Sequence, residues 1–97
     1  MSEEQNQAIE AAVLRRLLRH LDERKDVQNI ELMNLAGFCR NCLSKWLVSE
    51  AADRGVSIDY ETARERVYGM PYSEWKEKFQ TPATDEQLAQ FSASNIS

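Results

Sequence analysis

Cys39 and Cys42 enclose Arg40 and Asn41, and this CxxC run is the sharpest chemical feature of the chain. Cysteines at i and i+3 of a helix share a face, so both sulfurs can reach one metal ion. Zinc takes four ligands. The chain holds two cysteines and one histidine, so a zinc site needs Cys39, Cys42 and His20, with a carboxylate, a water or a second subunit as the fourth ligand. A second chemistry makes Cys39 a reactive or redox thiol. Just after Gly37 it falls in the first turn of a helix, where the dipole and Arg40 lower a thiol pKa. The thioredoxin-like setting for such a pair needs a βαβ pattern, which this sequence lacks. A third reading packs both cysteines as small apolar side chains on a stripe with Leu43 and Trp46.

His20 is the one side chain whose ordinary titration lies near neutrality, which makes it the natural general base if the chain has one. It stands at the border of an apolar helical stripe and, on the shared-site reading, meets the two sulfurs between the first and third helices. Amides are dense nearby: Gln28, Asn29, Asn34 and Asn41, with Arg40, Ser44 and Lys45. Asparagine competes with the helix backbone for hydrogen bonds, so its presence near helical segments points either to caps and interhelical bonds or to a polar pocket. The candidate binding site is therefore His20, Asn29, Asn34, Arg40 and Asn41.

Helices must position these groups. Ile9, Val13, Leu17 and Leu21 recur every four residues, with Leu14 and Leu18 widening the stripe, which predicts a helix from about Glu3 to Arg24. Asp26 can cap a second helix carrying Ile30, Leu32, Met33, Leu35 and Ala36, which Gly37 interrupts. A third, Phe38 to Arg54, presents Cys39, Cys42, Leu43, Trp46 and Leu47 and ends at Gly55. Ser57 or Asp59 caps a fourth, which Gly69 closes. Pro71 suits the first turn of a fifth with Tyr72, Trp75 and Phe79 on one face. Thr84 with Gln87 reads as a capping box for a sixth. The fold class is all-α: a compact bundle of five to six helices, one long at the amino end and several short, spanning 1–91 with a flexible tail at 92–97. Leu17, Leu21, Leu35, Leu43, Trp46, Val67, Trp75 and Phe79 are its expected core.

Composition restricts the partners. The chain has 97 residues, sixteen acids against twelve Lys and Arg, and a net charge of −4. Nucleic acid is an unlikely ligand for that balance, because phosphate recognition is driven by clustered positive charge. Three glycines and two prolines are too few for an all-β protein. No secretory signal and no apolar run of membrane-spanning length is present, so the expectation is a cytoplasmic protein with reduced thiols and no membrane partner. The aromatic face of Tyr72, Trp75 and Phe79 exceeds what one small core covers, which points to a homodimer.

The run Asp26-Val27-Gln28-Asn29-Ile30-Glu31-Leu32-Met33-Asn34-Leu35-Ala36-Gly37-Phe38-Cys39-Arg40-Asn41-Cys42-Leu43-Ser44-Lys45-Trp46 looks like a family signature. So does Ala63-Arg64-Glu65 with Val67-Tyr68-Gly69-Met70-Pro71-Tyr72 and Trp75-Lys76. Both resemble the bacterial family catalogued as domain of unknown function 1244, over about Leu14 to Gln80. The resemblance implies a small all-helical bacterial protein and no particular activity. Leu47 departs from it, since the family pattern has an aromatic residue there, and only a stacking contact depends on that. Two classes of function stay open: a binding or assembly module with a polar Asn/Cys-rich site, and a metal-binding or thiol-based redox protein or enzyme built on Cys39, Cys42 and His20, with zinc as the possible cofactor. The sequence assigns no small-molecule ligand.

Overall fold

The computed structural model describes residues 1–93, and six helices account for most of them. They are α1 (Glu3–Glu23), α2 (Asn29–Ala36), α3 (Arg40–Asp53), α4 (Tyr60–Tyr68), α5 (Tyr72–Phe79) and α6 (Asp85–Ala93). No strand occurs among the described residues. Four of the six starts are fixed by side-chain hydrogen bonds. Ser2 and Gln5 form a reciprocal capping box on α1, Asp59 accepts from the Thr62 amide on α4, and Thr84 with Gln87 does for α6 what Ser2 and Gln5 do for α1. α2 starts at Gln28, not at Asp26: the Glu31 carboxylate accepts from the Gln28 amide, while Asp26 pairs with Arg24 on the surface. Gly37 and Gly69 end α2 and α4 in the left-handed region, at φ 77° and 74°, where a β-carbon is strained.

The core is small. Leu21, Leu43, Val67, Tyr68 and Trp75 form its buried cluster, with Leu17, Leu18, Leu32, Phe38, Leu47, Met70, Tyr72 and Phe79 packed around it. The aromatic rings carry much of this packing: Tyr68 meets Trp75 edge-on at 5.0 Å and Tyr72 at 5.3 Å between centroids. α3 packs on α4, α4 on α5 and α2 on α6, while α1 lies against α4. Arg64 is sandwiched between the rings of Tyr60 and Tyr72 and pairs with Glu61.

Two expected core residues lie outside. Leu35 is 85% exposed. The short α2 carries apolar residues around more than one face, and with Leu32 and Met33 turned to the body, Leu35 points the other way. Trp46 is 53% exposed and stacks on Phe38 at the rim. The inward face of α3 is set instead by Arg40, Leu43 and Ser44, all buried, with Leu47 half-buried. Polar residues occupy positions that a hydrophobic stripe would claim, so Trp46 falls about a third of a turn away from them. The aromatic face of α5 is also covered within one chain, since Trp75 is buried and Tyr72 and Phe79 are half-buried. Ser92 and Ala93, expected in the tail, belong to α6, and 94–97 lie outside the described residues.

Trp75→Ala removes the largest fully buried side chain and is expected to cost about 3–5 kcal/mol. Trp46→Ala should cost less than half as much. Denaturant unfolding monitored by circular dichroism measures both, and equal losses would contradict this placement of Trp46.

Candidate functional site

The polar signature residues converge at the joint where α1 ends and α2 and α3 begin. Arg40 is 2% exposed. Its Nη1 donates to the Val27 carbonyl at 2.8 Å and to Asn29 Oδ1 at 3.1 Å, and its Nη2 donates to the Arg24 carbonyl at 3.0 Å and the Leu21 carbonyl at 3.4 Å. The guanidinium also stacks over Trp75, 5.0 Å from the ring centroid. A cation here serves the carbonyls left over at the end of α1 and sits at the negative end of its dipole. Burial pulls the Arg40 pKa below its ordinary value, with Tyr68, Cys39 and the nearby aspartates acting the other way. An arginine stays charged through such a shift.

The amides complete this joint. Asn29 Nδ2 donates to Tyr68 Oη at 3.0 Å, and Tyr68 Oη donates to Asn41 Oδ1 at 2.6 Å. Gln28, which is buried, donates from Nε2 to the Phe79 carbonyl at 2.9 Å and accepts from the Thr81 amide at 3.0 Å, clamping the α5–α6 turn. Asn34 donates to the Gln87 carbonyl of α6 at 3.1 Å. Apart from those of Gln28, these bonds join helix to helix, which belongs to the first of the two options open from sequence. Asn29 and Asn41 still border an open polar recess of about 270 Å³ with Tyr72, Gln80 and Thr81. Tyr68 and the Gln28 clamp were missed from sequence: Tyr68 reads as one more apolar stripe residue, and nothing local shows that its hydroxyl bridges two asparagines.

Cys39 is the N-cap of α3 and Cys42 lies in its first turn. Cys39 therefore stands outside the helix, with extended backbone, yet the two free sulfurs are 3.9 Å apart. Burial pushes the Cys39 thiol up, outweighing the backbone amides of Cys42 and Asn41 that favour its thiolate. This is the opposite of the depressed value a reactive thiol needs. His20 is exposed in the last turn of α1. Among the described residues no three His, Cys, Asp or Glu are grouped to hold a metal ion, so Cys39, Cys42 and His20 do not make the expected three-ligand cluster. The cause is azimuthal: the end of α1 turns Leu21 inward, and His20, one residue earlier, is carried about 100° away.

A second feature is apolar. Leu14, Leu18, Leu43, Trp46, Leu47, Glu50 and Val67 line a groove of about 240 Å³ between α1 and α3, with almost no polar surface. Beyond it the first half of α1 carries Ile9 and Val13, the latter 62% exposed.

Replacing Arg40 by Met, which keeps the length and removes the donors, should destabilise by about 3 kcal/mol or more, because it removes four hydrogen bonds from a charged donor and leaves the Val27 carbonyl without its guanidinium partner. Lysine at the same position should recover only part of this, having no planar fork. Thermal unfolding of the two variants checks both. Burial also raises the Tyr68 phenol well above its ordinary 10.0. A group raised in the folded state contributes stability that is intact below its unfolded pKa and is lost as pH climbs above it. The denaturation midpoint should therefore hold level up to about pH 10 and fall beyond it, and Tyr68→Phe should flatten that fall.

No helix among the described residues is long and apolar enough to cross a membrane. No curated protein matches the chain. The family model described as protein of unknown function (DUF1244) matches residues 27–93, which include Arg40, the amides of Gln28, Asn29, Asn34 and Asn41, and both cysteines. The chain belongs to that family.

Proposed function

We propose that this protein is a helical assembly module that pairs with a second copy of itself through the first half of α1. The carrying observation is surplus surface. A compact monomer of 11.2 kDa exposes about 5,700 Å², whereas this chain exposes 7085 Å². The difference, roughly 1,400 Å², exceeds the ~800 Å² that each partner contributes to a standard interface. The radius of gyration agrees: 15.1 Å against about 12.5 Å for a chain of this length.

Charge selects the partner. Glu3, Glu4 and Glu10 lie in the first half of α1, and Arg15, Arg16 and Arg19 follow in its second half. Two copies of α1 laid antiparallel set the acidic half of each beside the basic half of the other and bury Ile9 and Val13 at the centre. A two-fold pairing of this kind is self-complementary and closed. His20, at helical spacing from Ile9 and Val13, faces the same side of α1 from its last turn. The polar recess beside Asn29 and Asn41 stays open in such a dimer and supports a binding role within it.

Light scattering after size exclusion should give twice the chain mass at micromolar concentration. Val13→Glu, which places a charge at an exposed position of the helix, should leave the helical circular dichroism unchanged and give a single-chain mass. Losing the burial of two valines is worth about 3 kcal/mol or more, over a hundredfold in dissociation constant. A single-chain mass for the unaltered protein across a full dilution series rejects the reading.

A further inference from the structure

The thiol of Cys42 touches two other sulfurs. Its Sγ lies 3.9 Å from Cys39 Sγ and 3.8 Å from Met33 Sδ. The last turn of α2, the N-cap of α3 and the first turn of α3 thus bring three sulfur atoms to one corner. Cys39 is buried, and Met33 and Cys42 are half-buried, so the corner is shielded by the body and still open on one side. A metal–sulfur bond is about 2.3 Å. An ion at that distance from either sulfur pair subtends an S–metal–S angle of roughly 110–120°, the span from tetrahedral to trigonal. The two sulfur pairs that share Cys42 already stand at ligand separations.

We propose that Cys39, Cys42 and Met33 form a three-sulfur site for a soft monovalent d¹⁰ cation, Cu(I) in kind. The donor set decides the class. Two thiolates and a thioether are soft ligands that select Cu(I), which accepts three-coordination. Zinc favours four ligands and anionic or imidazole donors, and no third His, Cys, Asp or Glu among the described residues joins the cysteines. Charge is compatible as well. Cu(I) displaces one proton from each thiol to solvent, no electron moves, and the bound site carries one net negative charge. The Arg40 guanidinium interacts electrostatically with Cys39 and offsets that charge. The third ligand therefore comes from α2, and the ion ties its last turn to α3 across the Gly37 bend.

The test is anaerobic titration of the reduced, metal-free protein with Cu(I) in competition with a chromogenic Cu(I) chelator. One Cu(I) per chain is expected, with thiolate-to-copper absorption and a rise in melting temperature. Met33→Leu conserves volume and should weaken binding tenfold or more, since even outer-shell partners of a metal are worth 10–100-fold. Cys42→Ser should abolish binding, and if that variant fails to fold, Met33→Leu decides alone. Copper left wholly with the chelator overturns the proposal. So does unchanged affinity in Met33→Leu, or displacement of Cu(I) by an equal concentration of Zn(II).

Discussion

A buried guanidinium with no carboxylate in contact among the described residues organises this small fold. Arg40 donates to carbonyls of Leu21, Arg24 and Val27, holds Asn29, and lies flat on Trp75. Its chain position is awkward, because it opens α3, where the helix dipole disfavours a cation. The end of α1 supplies the opposite field and the acceptors, so the same side chain that burdens one helix completes another. Taking a charge out of water costs several kcal/mol unless its donors are satisfied. Here four of them are, by three backbone carbonyls and the Asn29 side chain. The directions of α1, α2 and α3 are thereby tied to the ring of α5, which a core of five buried apolar and aromatic side chains could not fix through packing alone.

Polar positioning recurs at the other joints. Gln28 clamps the turn after α5, Asn34 reaches α6, and the Tyr68 hydroxyl spans Asn29 and Asn41. Each bond is directional and buried or half-buried, so each specifies an angle where an apolar contact would tolerate a slide. The cost is fragility: a buried amide that loses its partner retains its full desolvation penalty. One such atom remains, Asn34 Oδ1, which is buried without a partner among the described residues.

Much of the fold was legible because helix signals are local. The four-residue recurrence of Leu17 and Leu21, the Asp59 cap, the Thr84–Gln87 box and the stops at Gly37, Gly55 and Gly69 all mark what the structure contains. The inward face of α3 was not legible, since apolar patterning assigns Arg40 and Ser44 to water and Trp46 to the core. The bonding of the candidate site residues was hidden for the same reason. Asn29, Asn34, Arg40 and Asn41 stand out in the sequence, but only tertiary geometry shows that their hydrogen bonds join helix to helix. Met33 had a faint signal, a third sulfur one turn before the Gly37 break, and it was read as ordinary stripe.

The length of α1 sets the last constraint. Its 21 residues span about 31 Å, while the two shorter extents of the molecule are 28 and 25 Å. A body that size covers the helix only near its carboxyl end, where Leu17, Leu18 and Leu21 pack. The first half is left with a capping box and helix-forming residues as its local support, and segments of that length are marginal alone in water. Ile9 and Val13 carry no benefit there for a solitary chain, since an exposed apolar side chain adds nothing to stability. They become favourable once a second apolar surface reaches them, and the surface whose charge order mirrors that of α1 is α1 itself.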